Sequence, residues 1–374
     1  MATQDAPTNL AELTALLDDA TKVKVAGLDV DGVFRGKYMS KDKFLSAVKG
    51  GGFVHGYSLL RTTLNKDYFN DLFDECVKFG VAIESHHTET GPGVFETALA
   101  YTSALRIADN ASLFKLAAKS IGMLYGIIPS FMAKPYANLP GTSGHIHVSL
   151  RTKEGKNVFG LSDAEVEAGG RKDAQYDETK FISQEAEWFL AGLLDGLPDD
   201  PKDALLNYNS RSVVPTLVPT INGYKRLVGG ESFWAPNAVT YGYDSRAASI
   251  RIISPPSVSP SATRFEVRVP GADVQPHLAL SSIFLLGLRG IEKKLTLPLR
   301  PISQITTPEE KKTVKKLATS LEAATLQMMR EGSVAREVLG DDFVDHYGGT
   351  RQHEVDLWNA AVTNWEVERY LELI

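Results

Sequence analysis

The spacing of apolar residues along the chain predicts a mixture of helices and strands. Apolar positions at helical intervals predict helices over residues 10–20, 67–79, 111–125, 181–194, 276–294, 308–331 and 354–373. Alternating apolar and polar residues instead predict a strand over residues 22–28 and a returning strand over 33–39. Because the elements do not follow a regular strand–helix–strand order, the pattern favours an α+β fold.

Turn residues divide this pattern. Asp31-Gly32, between the first two strands, is typical of a hairpin turn, and the glycine run at residues 50–52 interrupts the periodicity. A boundary there predicts a small domain over residues 1–53 and a larger domain over residues 54–374. The polar stretch 152–179 is expected to form an exposed excursion.

Composition narrows the classes of function. The chain has 374 residues, 43% of them hydrophobic, and a formal net charge of −6, so a sizeable core is possible and a general nucleic-acid binder is disfavoured. The longest apolar run, near residues 278–288, is shorter than the about 20 residues of a membrane span, so no membrane partner is expected. The single cysteine, Cys76, excludes an internal disulfide. With no secretory leader visible, a reducing compartment such as the cytoplasm is expected.

One motif is considered and set aside. Asp29-x-Asp31-Gly32 after apolar residues resembles the nucleophile strand of haloacid-dehalogenase-type phosphatases, and GDDFVD at residues 340–345 resembles the acidic metal motif of that family. The acidic motif of that family follows an apolar strand, whereas here the preceding residues 333–339 have helical spacing. A hairpin turn is therefore the better interpretation of Asp31-Gly32.

Alternation in two short segments separates polar from apolar side chains. In RFEVRVPG a strand places Arg264, Glu266 and Arg268 on one face, opposite Phe265, Val267 and Val269. In GHIHVSL a strand places His145, His147 and Ser149 together, with Ile146 and Val148 on the other face. Each polar face is open to two interpretations, a solvated surface with an ion pair or a site that uses imidazole as a metal ligand.

Two acids and several arginines complete the candidate chemistry. In HHTETGPGVFE, the Gly-Pro-Gly turn brings Glu89 and Glu96 together, and paired carboxylates suit magnesium or manganese. Exposed loop acids are the alternative. Arg226, Arg246 and Arg251 are candidates for holding carboxylate or phosphate, or are ordinary surface residues. Taken together, the set matches phosphoryl transfer from a nucleotide, although the chain contains no Walker loop.

These segments, in this order, resemble the glutamine synthetase family, particularly the fungal branch of its type I group. The similar segments are ESHHTETGPGVFE, KPYANLPGTSGHIHVSL, TINGYKRLVGG, SRAASIRI and RFEVRVPGADVQPHLAL, within residues 84–290. The resemblance implies a catalytic domain with a curved antiparallel sheet and helices. It also implies a small N-terminal β-grasp domain, to which the hairpin at residues 22–39 is similar, and assembly into a ring-shaped homo-oligomer.

The resemblance also implies an ATP-dependent ligation of glutamate to ammonia or an amine through a γ-glutamyl phosphate, with Mg²⁺ or Mn²⁺. Glu89 and Glu96 would hold the metal on the amino-acid side, and His145 and Glu266 the metal at the ATP phosphates. His147 and the catalytic pair Arg246 and Arg251 would contact phosphate; Arg226 and Arg268, with Gly141 in the same pocket, would bind glutamate.

Two departures from the family pattern leave a second hypothesis open. The family carries a Glu-x-Glu strand before the carboxylate loop, with one ligand for each metal, and the stretch FVHGYSLLRTTLNKDYF contains none. Where the ammonia-using enzymes place a glutamate before Ala-Pro, this chain has Trp234, with Glu231 nearby. The alternative is therefore a catalytically impaired relative with a structural or regulatory role, and the short form could also reflect splicing or the gene model.

Overall fold

The computed structural model describes residues 7, 9–28, 34–49, 66–91, 93–198, 212–228 and 235–373. They form two compact units, residues 1–130 and 131–374, and each unit is described here by itself. The turn at Asp31-Gly32, the glycine run, Glu231, Trp234 and most of the stretch expected to lack Glu-x-Glu lie outside the described residues. The domain boundary after residue 53 lies there too and stays a prediction.

The described residues of the first unit form four α-helices and four strands. The helices are α1 (Leu10–Leu16), α2 (Lys41–Lys49), α3 (Lys66–Lys78) and α4 (Ala104–Leu124). The strands are β1 (Lys22–Leu28), β2 (Phe34–Ser40), β3 (Ile83–Thr88) and β4 (Phe95–Leu99). They form one antiparallel sheet in the order β1-β2-β3-β4, so the predicted N-terminal strand pair shares a sheet with later strands.

The core of the first unit lies where α3 and α4 pack with this sheet. Its members are the apolar side chains of α3, α4 and the adjoining strands, among them Leu72, Phe73, Cys76, Ile83, Ala118 and Ile121. The helical spacing of α3 places Leu72, Phe73 and Cys76 on one face, which explains why this helix forms as predicted.

The second unit surrounds a four-stranded sheet in the order β5-β8-β7-β6. Its strands are β5 (Ile146–Val148), β6 (Tyr241–Tyr243), β7 (Ile250–Ile253) and β8 (Arg264–Val267). β8 pairs antiparallel with β5 and β7, but β6 pairs parallel with β7, so the antiparallel sheet predicted by resemblance has one parallel edge.

Ten α-helices of the second unit are described. They are α5 (Asp163–Glu167), α6 (Gln184–Asp195), α7 (Val214–Leu217), α8 (Ile221–Tyr224), α9 (Pro276–Lys293), α10 (Pro308–Thr313), α11 (Leu321–Met329), α12 (Val334–Leu339), α13 (Asp341–Ala360) and α14 (Asn364–Tyr370). α6 and α9 pack together, and Phe189 of α6 meets Phe159 and Phe265 at ring centroid distances of 5.0 and 6.3 Å. This aromatic cluster fixes one face of β8.

Two predicted long helices are each broken in two. The helix expected over 308–331 is interrupted because residues 315–317 bond to residues 237–239 through backbone groups, after which Ser320 caps α11. The helix expected over 354–373 is part of α13 and then α14, which begins at a capping box of Thr363 and Glu366. Backbone pairing with a distant segment overrides helical spacing at the first place, and a helix cap does so at the second.

The stretch 152–179 is only partly the exposed excursion that its polarity predicts. Lys153, Glu154 and Lys156 are exposed, but Phe159 and Thr179 are fully buried. The stretch is anchored because Asn157 donates to the carbonyl oxygens of Ser261 and Thr263. Among the residues that the structure describes, no helix has the length and hydropathy needed to cross a bilayer.

Candidate active site

The first group of candidate residues lies on the hairpin formed by β3 and β4, residues 83–99, here called the carboxylate hairpin. Its turn is closed where the Glu89 N–H donates to the Val94 carbonyl oxygen at 2.9 Å. Gly91 and Gly93 have φ values of +123° and +72°, which side chains disfavour, so the glycines predicted to make the turn are required by its geometry.

The back of the carboxylate hairpin packs on α3. The ring of Phe69 lies 4.2 Å from that of His86 and 4.4 Å from that of Phe95. Because strand residues alternate between faces, this packing leaves His87 and Glu96, a directly opposed pair, on the other face. The aromatic contacts therefore hold the backbone that carries the candidate ligands.

Three ligand atoms converge on that face. One from each of His87, Glu89 and Glu96 lies within 4.8 Å of the others, and His87 Nε2 is 4.0 Å from Glu96 Oε2. In the described part of the chain, this is the one group of three or more His, Cys, Asp or Glu residues so arranged. Two carboxylates and an imidazole suit a divalent cation, so these residues fit the metal that the resemblance implies here.

The second group lies in a row across the sheet of the second unit. His147 of β5 pairs with Glu266 of β8, which in turn pairs with Arg251 of β7. Phe265 and Val267 are fully buried on the opposite face, as the alternation predicts. Glu266 and Arg268 are also buried, at 4% and 5% exposure, so the solvated-face interpretation of this segment is wrong for those two residues.

Glu266 is the centre of a charged network, here called the arginine cluster, which comprises Glu266, His145, Arg251 and Arg268. Its Oε1 accepts from Arg268 Nη1 at 2.6 Å and lies 3.1 Å from His145 Nδ1, and its Oε2 accepts from Arg251 Nη1 at 3.1 Å. Burial alone would raise the pKa of Glu266, but the bond from His145 and the positive charges outweigh it and hold the pKa far below its usual range. The carboxylate is therefore ionised, and the two guanidinium groups balance its negative charge.

His145 has an unused nitrogen. Its Nε2 is buried and has no hydrogen-bond partner among the described residues, and burial lowers its pKa, which favours the neutral, ligand-competent imidazole. The partner carboxylate, Glu266, already has both oxygens engaged by the arginines. His145 and Glu266 thus fit a metal only in part, since a cation would have to share this carboxylate.

Arg226 and Gly141 lie together. Arg226, only 3% exposed, donates from Nη1 and Nη2 to the carbonyl oxygens of Val269 and Arg268 at 2.9 and 3.1 Å. Burial lowers the pKa of Arg226 to about 10, which leaves it charged at neutral pH. A Cβ at Gly141 would lie 2.5 Å from the Ala133 oxygen and 2.9 Å from Arg226 Cγ, so glycine is required for this approach.

The three remaining side chains that are candidates for phosphate contact differ in how firmly hydrogen bonds hold them. Arg251 donates to Asp244 as well as Glu266, so its guanidinium is fixed from two sides. His147 Nδ1 accepts from Arg264 Nε at 3.1 Å, which assigns the imidazole proton to Nε2. Arg246 is exposed and makes no hydrogen bond or ion pair with other described residues.

Sequence reasoning missed two members of these groups. The first is His87, which the sequence analysis does not assign to the site, because only the register that sets it opposite Glu96 reveals its position. Asp244, the partner of Arg251, has a positive φ of 48° and lies seven residues before it. The sequence signal was that Asp tolerates the left-handed conformation of a turn residue better than most side chains do.

The acidic residues of GDDFVD make ordinary ion pairs. Asp341 and Asp345 accept from Arg336 Nη1 and Nη2 at 2.9 and 2.6 Å, at the start of α13. An N-terminal helical turn that pairs with an arginine is unlike the strand-end position of a phosphatase metal motif, which agrees with setting that family aside.

Comparisons with known proteins give one consistent result. A family model described as the catalytic domain of glutamine synthetase matches residues 37–370. A type-1 glutamine synthetase 2 of Dictyostelium discoideum is 41% identical over 86% of this chain and 55% of its own length. A glutamate–isopropylamine ligase of a Pseudomonas species is 34% identical, over 86% of this chain and 62% of the ligase.

A γ-glutamylethanolamide synthetase of Streptomyces coelicolor is 33% identical, over 84% of this chain and 59% of that protein. The chain therefore spans 55–62% of the length of these three relatives. A solved structure of apo GmaS without ligand matches 82% of this chain and 63% of its own, with a TM-score of 0.62 at 26% identity. An ADP complex of GmaS matches 97% of this chain and 76% of its own, with a TM-score of 0.66 at 22% identity, which supports the fold alone.

Proposed function

The chain belongs to the glutamine synthetase family, and from that premise we propose that it ligates glutamate to ammonia or an amine with ATP. The single observation that carries the proposal is the arginine cluster. In it, the buried guanidinium of Arg268 and the partly buried guanidinium of Arg251 are fixed around one buried carboxylate on a strand face. Such fixed positive charge is what phosphoryl transfer to a carboxylate requires.

The proposed reaction has two steps. An oxygen of the glutamate side-chain carboxylate attacks the γ-phosphorus of ATP, the bond to the β-phosphate oxygen breaks, and ADP leaves. The amine nitrogen then attacks the acyl carbon of γ-glutamyl phosphate, inorganic phosphate leaves, and the nitrogen loses a proton. The product is a γ-glutamyl amide, or glutamine when the amine is ammonia.

In this scheme the arginines act as preorganised charge. Arg251, held by Asp244 and Glu266, would face the transferring phosphoryl group without having to reorganise. Arg246 would join it, and its exposed side chain can turn toward a ligand. His147 would donate from Nε2, since its Nδ1 accepts from Arg264.

Glutamate binding is assigned to Arg226 and Arg268. Arg226 uses two of its N–H groups on backbone oxygens, and a guanidinium has further donors for a carboxylate. Gly141 would keep the pocket open, because a side chain there would displace Arg226.

Glu89 and Glu96 would hold Mg²⁺ or Mn²⁺, which when bound would neutralise charge on the reacting oxygens. The carboxylate hairpin fits this role by its convergent donors. No step is assigned to a metal at His145 and Glu266, because that carboxylate is already shared by two arginines.

The acceptor is proposed to be a small amine, with ammonia as the alternative. Two of the relatives are a glutamate–isopropylamine ligase and a γ-glutamylethanolamide synthetase, which supports acceptors beyond ammonia. Trp234, where ammonia-using members carry a glutamate, supports the same preference from sequence.

A catalytically impaired relative is the second candidate. The observation that favours it is the engagement of both Glu266 oxygens by arginines, which leaves a single imidazole nitrogen for the second metal. We also keep the β-grasp assignment of the N-terminal hairpin, the ring-shaped homo-oligomer and the cytoplasmic location as proposals.

ADP release by the full chain tests the two candidates. Release that requires glutamate, an amine such as isopropylamine or ethanolamine, and Mg²⁺ or Mn²⁺ supports the ligase. The impaired relative predicts no release above the rate with ATP and metal alone. Manganese-dependent ATP binding, measured by calorimetry, separates a slow ligase from a protein that has lost its nucleotide site.

A further inference from the structure

His87 is placed by the strand register rather than by its neighbours in sequence. It lies directly opposite Glu96 on the face of the carboxylate hairpin that does not contact Phe69. Glu89 lies two residues beyond His87. One of its carboxylate oxygens is within 4.8 Å of a ring nitrogen of His87 and of a carboxylate oxygen of Glu96. The three side chains come from the two arms of one hairpin, whose turn is closed by a backbone hydrogen bond.

The hydrogen bonding of His87 fixes which nitrogen faces the carboxylates. Its Nδ1 lies 3.0 Å from the carbonyl oxygen of Thr88, which can only accept, so the neutral ring carries its proton on Nδ1. Nε2 therefore directs a lone pair toward Glu96 Oε2, 4.0 Å away. In this neutral tautomer the Nε2 lone pair and the Glu96 carboxylate are both electron donors, so a divalent cation between them would be bound by both.

We propose that His87 is the third protein ligand of a divalent-cation site formed with Glu89 and Glu96. The inference rests on the proposed metal site at the carboxylate hairpin and adds a nitrogen donor to it. The bond from Nδ1 to a backbone oxygen is the arrangement that commonly orients metal-bound histidines.

The geometry requires only small movements. Adjacent ligand atoms around an octahedral cation are about 3 Å apart. The three ligand atoms of His87, Glu89 and Glu96 lie within 4.8 Å of one another, so they need to approach by less than about 2 Å. Glu96 is 53% exposed and His87 28% exposed, so both can adjust, while Phe69 and Phe95 hold the backbone behind them. Three ligands from one side leave the outward positions for water and substrate oxygens.

The nitrogen donor changes the class of metal that is preferred. Carboxylates alone suit Mg²⁺, whereas imidazole favours later divalent metals, in the order Mn²⁺ < Co²⁺ < Ni²⁺. The site is therefore expected to bind Mn²⁺ and Co²⁺ in preference to Mg²⁺, and the loss of His87 should reduce that preference.

The test is metal binding by the full chain without nucleotide. With Mn²⁺ as the probe, electron-spin-echo spectroscopy should detect one imidazole nitrogen, and the signal should change when the chain is made with ¹⁵N-histidine. The signal should be lost in His87→Gln and kept in His145→Gln. The dissociation constant for Co²⁺ should rise about tenfold or more in His87→Gln, with a change of less than about threefold for Mg²⁺.

His353→Gln is the matched control, since it removes an exposed imidazole from α13 of the other unit. Circular dichroism must show His87→Gln to be folded, and Glu89→Gln gives a second variant that weakens binding but keeps the nitrogen signal. A nitrogen signal that persists in His87→Gln, or a wild-type chain that binds no Mn²⁺ at millimolar concentration, overturns the inference. If the nitrogen coupling is seen but no ADP is released, only the ligase proposal is refuted. If ADP is released but His87→Gln binds Mn²⁺ and Co²⁺ as the wild-type chain does, only the inference about His87 is refuted.

Discussion

The carboxylate hairpin and the arginine cluster hold similar residues in opposite environments. In the hairpin, an imidazole and two carboxylates converge at a partly exposed face. In the cluster, a buried carboxylate is bonded to one imidazole and two guanidinium groups. Glu96 is 53% exposed at its side chain and Glu266 is 5% exposed, so the two acids pay very different desolvation penalties.

The difference indicates which region can take up a cation by itself. The hairpin donors are partly exposed and already converge within 4.8 Å of one another. Glu266 in contrast already balances the charges of Arg251 and Arg268, and its main effect is to hold those guanidiniums in place. We therefore expect metal affinity to depend on the hairpin and anion recognition to depend on the cluster.

The largest effect is expected on turnover when an arginine of the cluster is removed. Arg251→Ala should lower kcat/KM by about a hundredfold to a thousandfold, because a fixed donor to developing charge is lost. Mn²⁺ binding without nucleotide should change little. Coupled ADP assays and calorimetry give the two values, and Arg300→Ala, at an exposed pair with Glu310, is the control. A similar loss in the control variant would refute the assignment.

Stability should distinguish the two acids. Glu266→Gln removes the buried negative charge that pairs with Arg268 and Arg251 and should lower the free energy of unfolding by about 3 kcal/mol. Glu89→Gln, at a partly exposed position, should lower it by less than about 1 kcal/mol. Urea denaturation followed by circular dichroism measures both. Equal losses would mean that the cluster is no more tightly coupled to folding than the hairpin.

A smaller effect is expected from closing the space beside Arg226. In Gly141→Ala the new methyl would meet the Ala133 oxygen and Arg226 Cγ, so the guanidinium must shift. KM for glutamate should rise about tenfold, which corresponds to about 1.4 kcal/mol of binding. Gly349→Ala in α13, where a Cβ meets nothing within 4 Å, is the control. An unchanged KM in Gly141→Ala would remove Gly141 and Arg226 from the glutamate site.

The smallest effect is expected on Cys76, whose labelling reports opening of the first unit. This thiol is fully buried in α3, and burial raises its pKa to about 11, so it should react only when the unit opens. Mn²⁺ at about five times its dissociation constant should slow labelling about sixfold by stabilising the native hairpin. Glu89→Gln should abolish this protection. Protection that survives in the variant would place the bound metal elsewhere.

The sequence predicts which residues share a strand face in both regions, but not which distant residues pack against that face. Alternation correctly predicts that Phe265 and Val267 are buried together, since a strand has only two faces. It says nothing about what covers the opposite face, so the burial of Glu266 and Arg268 could not be foreseen. The pairing of β8 with β7 brings Arg251 next to the Glu266 carboxylate. Which strands pair is determined by the tertiary structure and cannot be read from the alternation.

The carboxylate hairpin shows the same limit. Gly91 and Gly93 predict the turn, and the turn predicts that Glu89 and Glu96 are near each other. The register across the turn decides which residue lies opposite Glu96, and a shift of one position would have exchanged His87 for a neighbour that points to the other face. The break in the helix expected over residues 308–331 has a comparable cause, because backbone pairing with residues 237–239 competes with helical spacing.

Transfer of labelled oxygen tests the proposed ligation most directly. Glutamate that carries ¹⁸O in its side-chain carboxylate is incubated with the full chain, ATP, an amine and Mn²⁺, and the inorganic phosphate is analysed by mass spectrometry. Ligation through γ-glutamyl phosphate predicts one ¹⁸O atom in each phosphate released, in step with amide formation. Release of unlabelled phosphate, or no release at all from a folded chain that binds Mn²⁺, would contradict it.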